Sequence, residues 1–318
     1  MALDHHVSQV HLRKFYSPAL NRRKMFATRK SDLKQFPCGS EDVCRIDEGN
    51  TNTFLSEPRA VEEFLRAIEP RYSAACSAFE AGSPTQSDVF ALAGFVAYVL
   101  SCSPTAMRLG SEPLRETVKV EAKILEALGD LPPAPAELDG KQLSELLDEG
   151  AVQVQIDPKF PQALGIGAIL DLTRTFGNSR WEVLLNPHEE SPFFTSDFPA
   201  CIEKSSDPAI ALRVLPLTPT LALRIIPRLD VVNDPAFGFS LFRFRRRSLS
   251  KSEVRSVNQT IVRCAEDLVF HQINDPWVRT FVRRNAKFRV ENEVTTFPTG
   301  TGYLSLTRTV VRERTTAA

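Results

Sequence analysis

The chain has 318 residues, 42% hydrophobic and 25% charged, with 39 basic and 39 acidic side chains. A chain of that size and composition can bury a sizeable core without disulfide or metal staples, and its zero formal charge sets up no overall field toward nucleic acid or an acidic partner. The six cysteines show no CxxC spacing, which reads as reduced thiols of a cytoplasmic protein rather than a disulfide framework.

Residues 1–36 read as extended. The opening Met1-Ala2-Leu3-Asp4 lacks a basic start followed by an apolar run, so no signal peptide is expected. In an extended strand His5, Gln9, His11 and Arg13 would share one side and His6 the other, because strand side chains alternate. Arg22 to Lys30 reads as a short strand, and the Pro and Gly cluster of 37–58 as loop. Val61, Phe64, Leu65, Ile68, Tyr72 and Ala75 then recur at helical spacing over 57–79. Ser83, Pro84 and Gln86 look like the start of a second helix, apolar nearly all round to Leu100 and therefore central. Its apolar run, Val89 to Leu100, is too short to cross a bilayer, so no membrane association is expected. An amphipathic helix covers 113–128, a break at Pro132, Pro133 and Pro135 follows, and further helices are read at 141–149 and from Asp157-Pro158 to Phe176.

From Arg180 the period changes. Short apolar, β-branched runs at 181–185, 193–195, 210–217 and 221–226, separated by prolines, read as an antiparallel meander with prolines at strand ends. Ser250 to Glu253 is a capping box, and the stripe Val254, Val257, Ile261, Cys264, Leu268 carries its helix to about His271. The basic, Thr-rich remainder would hold a hairpin or stay partly disordered. Helices first and strands later give an α+β class: a helix-rich N-terminal half packed on a mostly antiparallel sheet drawn from the N-terminal strands and the 180–245 region. One domain over 1–272, with an internal break near 130–140, and a basic extension over 273–318 follow from this pattern.

Several chemistries are missing. The sequence has no Walker A loop, no G-x-S-x-G elbow, no H-E-x-x-H and no paired CxxC. Three features remain for weighing. His5, His6 and His11 crowd one short segment, where imidazole can serve as acid, base or ligand, or simply face solvent. Ser196-Asp197 at a strand end offers a hydroxyl and a carboxylate, or a turn in which Asp197 accepts backbone N–H bonds. Arg243, Arg245 and Arg247 alternate with Phe242 and Phe244, as a phosphate grip or a charged edge strand.

His5, His6, Val7, Ser8, Gln9, Leu12 and Phe15 resemble the opening of domain-of-unknown-function family 4238. Lys24 to Ala27, the helix glutamates Glu62 and Glu69, Trp181 to Leu184, Phe193 to Pro199, Pro216 to Pro219 and Val257 to Gln259 continue that likeness in order. Ser8 stands where the family has Pro, His6 where it has Tyr, and Phe198 where it has Asn beside the Asp. The family carries no known reaction. The resemblance implies that His5, Gln9 and Asp197 form one site, since its two sharpest motifs contain them. On that reading the chain is an enzyme on nucleic acid or another phosphate ester, a nuclease or related phosphodiester hydrolase. His5 would be acid or base, and Gln9, Arg13 and Ser196 would hold substrate. Asp197 and Glu69 would orient His5 or bind a divalent cation, and Arg243, Arg245 and Arg247 would hold phosphates. The competing reading is a non-catalytic binding or protein-interaction module, which the separation of His5 and Asp197 distinguishes.

Overall fold

The computed structural model describes residues 3–314 except 132–134, 206, 208–209, 229–236 and 301. Pro132 and Pro133, the expected break, therefore lie outside the described residues.

The chain begins with strand β1 (Leu3–His5), helix α1 (Gln9–Leu12) and strands β2 (Met25–Arg29), β3 (Gln35–Cys38) and β4 (Arg45–Asp47). Helices α2 (Ala60–Ala81), α3 (Gln86–Cys102), α4 (Pro104–Leu128), α5 (Leu143–Asp148), α6 (Lys159–Gly167) and α7 (Ile169–Gly177) follow. Then come β5 (Arg180–Leu185), β6 (Thr195–Ser196), β7 (Cys201–Lys204), β8 (Ala211–Thr218), β9 (Leu221–Ile226) and β10 (Arg243–Ser248). The last elements are α8 (Lys251–Cys264), β11 (Leu268–His271), α9 (Pro276–Asn285) and the hairpin strands β12 (Phe288–Thr299) and β13 (Gly302–Glu313).

The class is α+β. One sheet has the order β10-β5-β9-β8-β7 and another β3-β2-β11-β6. Every pairing is antiparallel except β10 against β5. The core is continuous across helices and sheets. Phe79 of α2 stacks on Trp181 of β5 at 5.1 Å, and Phe242 meets both rings edge-on. α3 is buried on nearly all sides, as its unbroken apolarity requires. Gly94 lets it approach α2, because a Cβ there would come within 2.9 Å of Ile68. Among the described residues no single helix is long and apolar enough to cross a membrane.

Several local expectations change. Residues 9–15 are helical rather than extended. Leu12 and Phe15 are both buried, and a helical turn is what points Leu12, Phe15 and His11 together into the core. α3 starts two residues late, with Thr85 rather than Ser83 as N-cap and Asp88 closing the capping box. The expected helix from Asp157 to Phe176 is two helices that break at Ala168. Pro216 lies inside β8 rather than at its end, beside a register shift between Pro216 and Thr218. The capping box at Ser250 is as expected, but α8 ends at Cys264 and the chain turns into β11. The cause is Asp197, whose carboxylate takes the amides of Glu266, Asp267 and Leu268. β7 and α9 had no counterpart in the sequence reading.

Candidate functional site

The opening segment builds a polar cluster around Ser40. β1 pairs with β4 through His5 and Arg45, which lays the His5 ring against the 39–41 turn. Its Nε2–H donates to the Ser40 carbonyl at 3.1 Å. Because residues 9–13 are helical, Gln9 and Arg13 stand one turn apart and Arg13 Nη2 donates to Gln9 Oε1 at 2.7 Å. The Ser40 hydroxyl donates to Gln9 Oε1 at 3.1 Å and accepts from Arg13 Nε and from the Tyr16 hydroxyl. His5, Gln9 and Arg13 therefore do meet. Burial holds the His5 pKa below its ordinary value, against the opposing bond to Ser40, so the ring is neutral near pH 7.

Behind this cluster lies a second one on α2. Glu62 and Glu69 are two turns apart, so they share a helix face. The Ser8 hydroxyl donates to Glu69 Oε1. Asn50 Nδ2 donates to Glu62 at 2.6 Å, and Arg59 pairs with both Asp4 and Glu62 at 3.1 Å. The Tyr98 hydroxyl donates to the His5 carbonyl at 2.5 Å. Burial, helped by the charge of Glu62, raises the Glu69 pKa although the Ser8 bond works against it. His6 is buried beside His5, and its Nδ1 has no hydrogen-bond partner among the described residues.

His11 turns inward instead. Its Nδ1 meets the Tyr72 hydroxyl at 2.6 Å, its Nε2 meets Thr195 Oγ1 at 2.7 Å, and its ring stacks on Phe95. Both ring nitrogens are thus occupied in a fully buried setting.

Asp197 joins none of these groups. Its oxygens accept three main-chain amides at 2.8–2.9 Å, and no hydrogen bond or ion pair links it to His5, Gln9, Arg13 or Glu69 among the described residues. Burial pushes its pKa up to about 6, opposed by those amides and by the nearby Lys30 ammonium. Ser196 is buried, and its hydroxyl accepts the Phe198 N–H. The arginines of β10 lie elsewhere again. Arg245 pairs with Glu182, Arg247 with Glu253, and Arg243 folds back on the carbonyls of Ser240 and Phe242. Among the described residues no three His, Cys, Asp or Glu side chains group as metal ligands.

A different basic surface has unoccupied guanidinium groups. α8 and α9 flank a cleft of about 910 Å³ lined by Lys251, Arg255, Asn258, Asp275, Trp277, Phe281 and Arg284, among others. Lys251 pairs with Glu190. Arg255 and Arg284 are exposed and make no hydrogen bond or ion pair among the described residues. Trp277 forms the apolar part of the wall, half-buried and stacked on Phe194 at 5.7 Å. Asn258 fixes the opposite wall by accepting the Phe194 N–H and donating to the Pro192 carbonyl, each at 2.9 Å. The sequence held these cations in its basic C-terminal half. What it lacked was the helix over 276–285, where Trp277, Phe281 and Arg284 fall on one face at i, i+4, i+7.

The model of a family described as "Protein of unknown function (DUF4238)" matches residues 4–275. No curated protein and no solved structure matches the chain.

Two outcomes follow. Asp197→Asn keeps the shape but puts an amide donor among three N–H donors. It should cost about 2–4 kcal/mol, read as a lower urea midpoint, and an unchanged midpoint would remove Asp197 from its turn-closing role. The second concerns acid. Burial lowers His6 to about 4, His11 to about 3 and His271 to about 4. Below pH 6.5 the unfolded chain takes up protons that these folded rings refuse, so stability falls, by about 2 kcal/mol per ring between pH 6.5 and 5. Asp197 has the opposite sign, since its raised value lets the folded state gain a proton below about pH 6. The net loss should be about 4 kcal/mol; equal urea midpoints at pH 7 and pH 5 would contradict it.

Proposed function

We propose that this chain, which belongs to the DUF4238 family over residues 4–275, binds a nucleotide, free or at a strand end, in the cleft between α8 and α9. The observation that carries the reading is the pairing of two uncommitted guanidinium groups, Arg255 and Arg284, with the half-buried indole of Trp277. Guanidinium forks match phosphate oxygens, and an aromatic wall holds a base by stacking, with cation–π support from arginine. This moves the expected phosphate grip from β10, whose arginines already have partners, to α8 and α9.

A second reading, hydrolysis of a phosphate ester, is favoured by one observation. Glu69 is a half-buried carboxyl with a raised pKa, hydrogen-bonded to Ser8 and close enough to Glu62 to feel its charge, on the same face of α2. Such a group retains a proton to higher pH than an ordinary glutamate and can act as a general acid.

Trp277 supplies the test of the first reading, because Trp181, the other of the 2 tryptophans, is fully buried in the core. Nucleotide should quench indole emission in the wild type and not in Trp277→Phe. Arg255→Ala/Arg284→Ala should weaken binding by about 100-fold or more, since each charged hydrogen bond carries about 1.5–3 kcal/mol. Equal affinity in the double variant would refute the cleft. For the second reading, Glu69→Gln should remove the fall of any phosphodiesterase rate with rising pH while leaving cleft binding intact; a wild-type chain with no turnover on such substrates ends that reading.

A further inference from the structure

Two arginines of the same sheet have opposite surroundings. Arg224 on β9 is saturated: its Nε and Nη2 meet Glu203, and its Nη1 meets Glu182 at 2.8 Å. Arg213 on β8 has nothing comparable. It stands between Ile202 of β7 and Ile225 of β9 in register, so it occupies a position where its cross-strand neighbours are apolar. Its Nη1 is sealed from solvent, and the side chain makes no hydrogen bond or ion pair among the described residues. The thiols of Cys264 and Cys201 lie close enough to act on its charge. A guanidinium nitrogen sealed from water without a hydrogen-bond partner is an unfavourable arrangement that natural proteins rarely retain without a reason.

The space beside it supplies one. Arg213 borders a cavity of about 810 Å³ between β7, β8, α8 and β13. Ser256, Thr260 and Arg263 line it from α8 and Thr307 and Thr309 from β13; the Thr260 hydroxyl donates to the Ser256 carbonyl and the Thr309 hydroxyl to Asn292 Oδ1. Arg263 is held in place by a bond from Nε to Asn285 at 2.9 Å and by the Phe288 ring 4.1 Å below it, which leaves its outer N–H groups available. Two carboxylates also line the cavity, Glu203 and Asp207. Glu203 is held by Arg224, and neither bonds Arg213.

We infer that this cavity is a second anion site, in which a phosphate group, free or carried on a small phosphomonoester, completes Arg213 with help from Arg263 and the hydroxyls of Ser256 and Thr307. Its position on the other flank of α8 makes it independent of the nucleotide cleft. The cleft is lined from Lys251, Arg255 and Asn258, the second site from Ser256, Thr260 and Arg263, and these sets fall on different faces of one helix.

Inorganic phosphate, titrated at constant ionic strength and followed by calorimetry and by thermal melting, is the probe. Wild type should bind it and melt at a higher temperature as phosphate rises. Arg213→Met should lose at least tenfold in affinity and show no melting response, while melting no lower than wild type in phosphate-free buffer because a sealed, unpartnered guanidinium nitrogen has been removed. Arg213→Lys keeps the charge without the fork and should bind with intermediate affinity. Arg255→Ala/Arg284→Ala should keep the full phosphate response even where nucleotide binding is lost, which separates this site from the cleft. Absence of phosphate binding by wild type would overturn the proposal. An equal response in wild type and Arg213→Met would overturn it as well.

Discussion

The carboxylate of Asp197 is the contact on which the arrangement of the C-terminal half turns. By gathering the amides of residues 266–268 it stops α8 at Cys264 and releases β11 into the sheet between β2 and β6. Without β11 neither β2 nor β6 has its central neighbour, and His271 loses its bond to Thr28. Lys30 completes the same corner, donating to the carbonyls of Ala265 and Phe288 and so tying the start of the final hairpin to the end of α8. A buried carboxylate surrounded by main-chain donors holds backbone in place. The same three bonds leave Asp197 poorly suited to any task that needs its lone pairs free.

Arginine shows three different roles within one chain. Across the five-stranded sheet, Arg245, Glu182, Arg224 and Glu203 form a ladder of alternating charge that neutralises itself. In the α8–α9 cleft, Arg255 and Arg284 stay in water, where an unpaired guanidinium costs little and is available to a ligand. In the β8 cavity Arg213 has a guanidinium nitrogen sealed from water and is bonded to no carboxylate among the described residues. Only the last two carry information about ligands, because in the first the protein has already supplied the anion. Counting basic residues along the chain cannot separate these cases; their partners do.

The histidine-rich opening behaves similarly. His5 is placed at a polar surface cluster, His6 is buried next to it, and His11 is a core residue clamped by Tyr72 and Thr195. Three side chains of the same chemistry thus have three environments within seven positions, because a short strand, a turn and a helical segment aim them in different directions. The cluster that results around Ser40 unites His5, Gln9 and Arg13, while Glu69 belongs to the adjoining set on α2.

Local signals that rest on a few neighbouring residues were legible from the amino-acid order alone. The Ser250 capping box, the apolar helix that became α3, the strand over 181–185, the α+β class and the membership that follows from His5 to Phe15 and Phe193 to Pro199 are of this kind, since each depends on periodicity or on chemistry within one turn. Tertiary structure decided what depends on meetings between distant segments. The end of α8 was set by a carboxylate near seventy residues upstream, and the availability of each arginine by glutamates on other strands. Asp197 could be read from its neighbours as either a catalytic group or a turn-former, and only the three amides brought to it by the fold distinguish the two. Side-chain identity fixes which interactions are available, but three-dimensional proximity selects among them, and proximity is not written in the spacing of residues along the chain.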